Sequence, residues 1–131
     1  MIIKLNFESQ IPIYLQLRNQ IVIGIGKGEF EVGEGLPTVR QLAEEIGINT
    51  MTVNKAYALL KSEGYISIDR RHGAKVNPIT TEMIFKEKLK DELELVIAEA
   101  GMKGISKSDF ILMCEQIYGG MKALRENLVV E

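Results

Sequence analysis

The stretch from Leu36 to Tyr57 constrains the fold of this 131-residue chain more than any other, because it is typical of two helices joined by a tight turn. Helices that cross at a sharp angle need a small residue where they meet, a turn residue between them and apolar residues at fixed offsets. Ala43 is the small residue, and Gly47 is a turn residue that can adopt a positive φ. The apolar positions are Leu42, Ile46, Ile48, Val53 and Ala56.

The ends of these helices are also marked in the sequence. Thr38 followed by Gln41 is a capping box and predicts the start of the first helix of the pair. Either Asn49 or Thr50 caps the second helix, and Gly64 ends it. An earlier helix is predicted from Pro12 to about Lys27, with an apolar stripe every four residues at Ile13, Leu17, Ile21 and Ile25.

A short hairpin follows the helix pair. Residues 65–68 alternate as a strand does, residues 69–73 form a turn with a basic tip, and residues 74–77 return. We therefore predict a mainly α fold with a small β-hairpin wing, that is, a winged helix-turn-helix over residues 1–78. Residues 79–131 are predicted to be a second, helical domain used for dimerisation.

The second helix of such a unit fits the major groove of DNA, and the hairpin can reach the flanking backbone or the minor groove. Asn can bind adenine, Lys can reach guanine or phosphate, and Thr hydroxyls can bind either. Arg40 can reach a phosphate or a base edge, and Thr38 can serve as a cap, as a phosphate contact, or as both. The predicted DNA-binding residues are Thr38, Arg40, Asn49, Thr50, Met51, Thr52, Asn54, Lys55, Arg70, Arg71, His72 and Gly73.

DNA-binding domains are often basic, so a net charge of −2 argues mildly against DNA binding. The acidic excess, however, lies in the C-terminal part of the chain. Residues 1–78 carry nine basic and eight acidic residues, whereas residues 79–131 carry seven and ten. No apolar run is long enough for a membrane span, and the N-terminus does not resemble a signal peptide. A single cysteine, Cys114, fits a cytoplasmic location. We expect no cofactor and no metal site, since His72 is the only histidine and has no ligand-like spacing to partners.

The C-terminal segment carries two apolar stripes on helices interrupted by Gly101 and Gly104. Two helices cannot bury both stripes on each other alone and also hold a ligand, and pairing across a two-fold axis would cover the stripes. The dimer interface is predicted at Phe85, Leu89, Leu93, Val96, Phe110, Cys114, Ile117, Tyr118 and Met121. A small-molecule site between subunits is an alternative, and the residues that could line it, otherwise interpreted as core packing, are Phe85, Phe110, Tyr118, Met83, Met113 and Met121. Cys114 is interpreted as a small buried hydrophobic residue, with a redox role as the alternative.

Several short motifs resemble the GntR family of bacterial transcription regulators over residues 10–77. They are Gly28-Glu29-Phe30, the run from Leu36 to Ala43, Thr52-Val53, Ala56-Tyr57 and Glu63-Gly64. The short two-helix tail and the residues around Asn49 are most similar to the YtrA-type subfamily. The resemblance implies a homodimer that binds a near-palindromic operator, usually as a repressor, and suggests control of a transporter operon.

The resemblance also implies DNA contacts at Thr38 and Arg40, at Thr50, Thr52 and Asn54, and at His72 and Gly73. The chain departs from the family pattern at four positions. Many relatives have arginine where this chain has Thr50 or Asn54, a glycine where it has Arg71, and an aromatic residue where it has Lys75.

Two other classes of function are alternatives to a DNA-binding regulator. A winged-helix module that binds a protein instead of DNA would present a more apolar face than the polar and basic one predicted here. An enzyme would need a nucleophile with a base, a phosphate-binding loop or a metal cluster, and the sequence contains none of these patterns. Whether a small-molecule effector exists is left open.

Overall fold

The computed structural model describes residues 3–30, 32–71, 73–79 and 83–124. Its elements, in chain order, are α1 (Ile13–Gly26), α2 (Val39–Ile46), α3 (Thr50–Ser62), β1 (Ile66–Asp69), β2 (Gly73–Val76), α4 (Met83–Met102) and α5 (Lys107–Gly120). The described residues up to Pro78, with residues 122–124, form one compact unit, and Ile79–Met121 form a second. The mainly α fold class with a two-stranded hairpin is confirmed.

Helix α1 forms because its apolar residues recur on one face. Leu17 and Ile21 are fully buried, and the helix packs mainly against α3. Pro12 precedes the first turn, where its missing N–H has no intrahelical partner to lose. The helix ends at Gly26, one residue before the predicted boundary.

Helices α2 and α3 form the predicted helix-turn-helix. Thr38 Oγ1 accepts the Gln41 N–H at 3.1 Å, and Gln41 Oε1 accepts the Thr38 N–H at 3.0 Å, which completes the capping box. Gly47 ends α2 with φ of 69°, in the left-handed region that a side chain disfavours. Of the two alternatives for the cap of α3, the structure selects Asn49, whose Oδ1 accepts the Met51 N–H at 2.7 Å.

The wing is an antiparallel pair in which Ile66 lies opposite Val76 and Asp69 opposite Gly73. Each strand is shifted by one residue from the predicted range, because Asp69 and Gly73 pair with each other and shorten the turn. The connector before α2 joins this sheet, since the Leu36 N–H donates to the Ala74 carbonyl at 2.9 Å. The wing is therefore fixed to the segment that leads into α2.

One core holds the first unit together. It is lined by α1, α2, α3, the connector and both strands, and its largest fully buried side chains are Leu17, Ile21, Leu42, Leu60, Ile66 and Val53. Burying a side chain of this size contributes about 1.5–3 kcal/mol to the free energy of folding. Burial in this core is therefore the main interaction that holds α3 against the rest of the unit.

The second unit is a pair of helices. The prediction that Gly101 interrupts the first of them is wrong, because α4 continues to Met102; Gly104, with φ of 87°, lies in the turn that follows. Ser106 caps α5 by accepting the Asp109 N–H at 3.2 Å. In the part of the chain that is described, no helix combines the length and the apolar character that crossing a membrane requires.

Candidate nucleic-acid interface

The outer face of α3 carries most of the predicted contact residues. Thr50, Met51, Asn54 and Lys55 are exposed, whereas Thr52 is partly covered. The opposite face is buried in the core through Val53, Ala56, Tyr57 and Leu60. Core packing therefore fixes which side of α3 is presented outward.

Asn49 and Lys55 each have an interaction within the unit. The Oδ1 atom of Asn49 is occupied by the cap of α3, which leaves its amide nitrogen as the group that can donate outward. The Nζ atom of Lys55 lies 4.1 Å from the centroid of the Tyr14 ring, a cation–π contact with α1. This contact, which the sequence did not predict, draws the Lys55 ammonium toward α1.

The N-terminus of α2 presents a second group of polar side chains. Thr38 and Arg40 are both exposed there, and a helix N-terminus attracts anions such as phosphate. Arg40 lies within the first turn, beside the capping box, so its backbone is well fixed while its guanidinium lies at the surface.

Tyr57 connects this N-terminus to α3. Its hydroxyl donates to the Pro37 carbonyl at 2.7 Å, and the residue is only 3% exposed. Burial raises the pKa of Tyr57 to about 12, with a further contribution from the negative charge of Glu45. The hydroxyl therefore stays protonated, as a donor must, and fixes the residues just before Thr38 against α3.

The tip of the wing carries two exposed arginines, Arg70 and Arg71. The Arg71 N–H donates to Asp69 Oδ1 at 2.8 Å, which stabilises the turn. Gly73 has φ of 71° and begins β2. His72, also predicted to contact DNA, lies outside the described residues.

An ion pair that the sequence did not predict stabilises the C-terminal end of α3. Arg18 on α1 binds Glu63 through two hydrogen bonds, at 2.8 and 2.9 Å, and lies over the Tyr65 ring at 5.5 Å. The paired carboxylate raises the pKa of Arg18 above its ordinary value. Arg18 and Glu63 are far apart in sequence, so no local pattern indicates that they meet.

The predicted interface residues of the second unit remain largely exposed in the single chain. Phe85, Leu89, Leu93 and Val96 on α4 are each 42–49% exposed, and Ile117 and Tyr118 on α5 are 55% and 60% exposed. Phe110, Cys114 and Met121 are partly covered. Helix α5 has no fully buried residue, so the two helices leave most of their apolar surface uncovered.

Comparison with known proteins identifies the family. The family model "Bacterial regulatory proteins, gntR family" matches residues 13–76, from the start of α1 to the end of β2. A crystal structure of AraR(DBD) in complex with operator ORR3 is 27% identical, with a TM-score of 0.50, and covers 56% of this chain and 88% of that chain.

Two relatives extend the similarity over most of the chain. The HTH-type transcriptional repressor YtrA of Bacillus subtilis is 30% identical over 95% of this chain and 98% of its own length. The structure of YtrA from Sulfolobus acidocaldarius, a GntR-family transcription factor, is 37% identical with a TM-score of 0.64, and covers 75% of this chain and 99% of that chain. This chain is therefore a DNA-binding regulator that belongs to the gntR family of bacterial regulatory proteins, in its YtrA-like group.

Proposed function

We propose that the chain is a homodimeric, operator-specific repressor of transcription that binds a near-palindromic DNA duplex. The observation that carries this proposal is the arrangement of exposed polar and basic side chains on the three elements that approach DNA in a winged helix-turn-helix. These elements are the outer face of α3, the N-terminus of α2 and the tip of the wing.

The exposed side chains differ in the DNA groups that they are suited to contact. Arg40 is suited to guanine or phosphate and Asn54 to adenine. Thr38, at a helix N-terminus, is suited to phosphate. Arg70 and Arg71 can neutralise phosphates that flank the major-groove site. Base readout then belongs to α3 and Arg40, and positioning belongs mainly to Thr38 and the wing.

Two copies are needed to read an inverted repeat. The uncovered apolar surface of α4 and α5 supports pairing with a second copy, because burying it would be favourable at about 25 cal/mol per Å². A two-fold axis between two copies would place their recognition helices about 34 Å apart, one turn of DNA. The interface is proposed at Phe85, Leu89, Leu93, Val96, Phe110, Cys114, Ile117, Tyr118 and Met121.

Repression is proposed because YtrA of Bacillus subtilis, which matches nearly the whole chain, is named a repressor. Control of a transporter operon follows only from the YtrA-type resemblance. The partners are thus double-stranded DNA and a second copy of the chain in the cytoplasm. The function requires no cofactor, and no small-molecule effector is assigned.

The test is selection of duplexes with a randomised centre by the purified full chain at near-physiological salt, followed by sequencing. We expect enrichment of an inverted repeat whose halves are separated by about one helical turn. Binding that is weak, salt-sensitive and free of sequence preference would contradict the proposal and favour a protein-interaction role for the winged helix.

A further inference from the structure

Met51 is the most exposed large apolar side chain among the described residues of the first unit, with 77% of its surface accessible. It lies in the first turn of α3, on the side opposite the core-facing residues, and so on the face that we propose enters the major groove. An apolar side chain this exposed gains free energy only when a partner covers it.

The neighbours of Met51 define the chemistry that such a partner must have. One turn further along the same helix face lie Asn54 and Lys55. The exposed Lys55 ammonium lies over the Tyr14 ring and is drawn toward α1, so the groups next to Met51 on the outward face are the Asn54 amide and a cation displaced toward α1. Guanine is read by Arg or Lys, adenine by Asn, and the methyl group of thymine by an apolar contact.

We propose, on the basis of the operator binding proposed above, that Met51 packs against the 5-methyl group of a thymine in the major groove, beside an adenine bound by Asn54. The base pairs that Met51 and Asn54 contact in each half-site are then A·T pairs. Methionine suits this contact because its flexible, polarisable thioether adapts to an apolar group without requiring a fixed hydrogen bond.

The test uses the selected operator with each thymine replaced in turn by deoxyuridine, which removes a single methyl group from the major groove. At one symmetric pair of positions, each replacement should weaken binding about fourfold, as expected when one buried methyl group is removed. Met51→Ala should weaken binding to the thymine operator and abolish the deoxyuridine effect at that position. Met51→Leu, which keeps an apolar side chain, should retain the effect.

The control is Phe7→Ala, since Phe7 is 67% exposed and lies outside the elements that approach DNA. This variant should show the same deoxyuridine effect as the unmodified chain. If no deoxyuridine replacement changes the affinity, or if the effect persists in Met51→Ala, the thymine contact is wrong while operator binding stands. Failure to select any operator would instead contradict the proposed function.

Discussion

At the scale of single residues, the site depends on side chains that orient their neighbours as well as on those that face DNA. Tyr57 fixes the segment before α2 through the Pro37 carbonyl, and Asn49 uses its side-chain oxygen to cap α3. Arg40 follows closely on this fixed segment and is exposed. A long cation on a well-ordered backbone can select a base edge more sharply than one on a mobile loop.

Arg40→Ala should weaken binding to the selected operator by about 1–3 kcal/mol if the guanidinium reads a base. The measurement is the dissociation constant at fixed salt for the operator and for a scrambled duplex, so that loss of specificity is separated from loss of charge. Lys61→Ala is the control, because Lys61 is exposed in the last turn of α3, away from its N-terminus. An operator affinity equal to that of the control would remove Arg40 from the interface.

Tyr57→Phe should lower the free energy of unfolding by about 0.5–1.5 kcal/mol, the usual net value of one hydrogen bond. Because the pKa of Tyr57 is raised from 10.0 to about 12, its stabilising effect is complete below pH 10 and is lost as the pH rises toward 12. The difference in the free energy of unfolding between the two proteins, measured in urea, should therefore shrink between about pH 10 and about pH 12. A difference that is constant or grows would show that the phenol is not preferentially protonated in the fold.

At the scale of elements, the features that could be predicted from the sequence are those that depend on residues close together in the chain. The capping box of α2, the positive φ of Gly47 and the buried face of α3 each depend on residues within one or two turns. The contacts between Lys55 and Tyr14 and between Arg18 and Glu63 join elements that are distant in sequence, and no periodicity indicates them. Sequence therefore predicted which face α3 exposes, but not which of its cations is already engaged.

The two exposed arginines at the tip of the wing are expected to neutralise DNA phosphates. Replacing both Arg70 and Arg71 by Gln should reduce the slope of log affinity against log salt by about 0.9 for each phosphate that the arginines would have neutralised. The control is the double replacement of Lys86 and Lys90 by Gln, which removes the same charge from exposed positions on α4. Equal slopes for the two double variants would show that the wing does not contact the DNA backbone.

At the scale of the whole molecule, the two units expose different kinds of surface, and we propose that they have different functions. The first unit buries a complete core and exposes a polar, partly basic face, whereas the second leaves the apolar residues of α4 and α5 uncovered. Many exposed apolar side chains on one pair of helices are typical of an interaction site. The assignment of residues 1–78 to DNA binding and 79–131 to dimerisation remains a proposal that follows from this contrast.

Leu89→Glu should convert the chain to a monomer at micromolar concentration and greatly weaken operator binding, because a carboxylate would be buried without a partner in the dimer interface. Ala98→Glu is the matched control, since it adds the same charge to another face of α4, where Ala98 is exposed. Sedimentation velocity and operator titration report the two effects. A dimeric Leu89→Glu variant with unchanged affinity would place the interface elsewhere.

The most direct test of the central claim is the ratio of affinities for the selected operator and a scrambled duplex, measured with the stoichiometry of the complex at near-physiological salt. We expect a ratio of roughly 10³ or more, typical of sequence-specific regulators, with two chains on each operator. A ratio near one would contradict operator-specific regulation, and a single chain per operator would contradict the dimer.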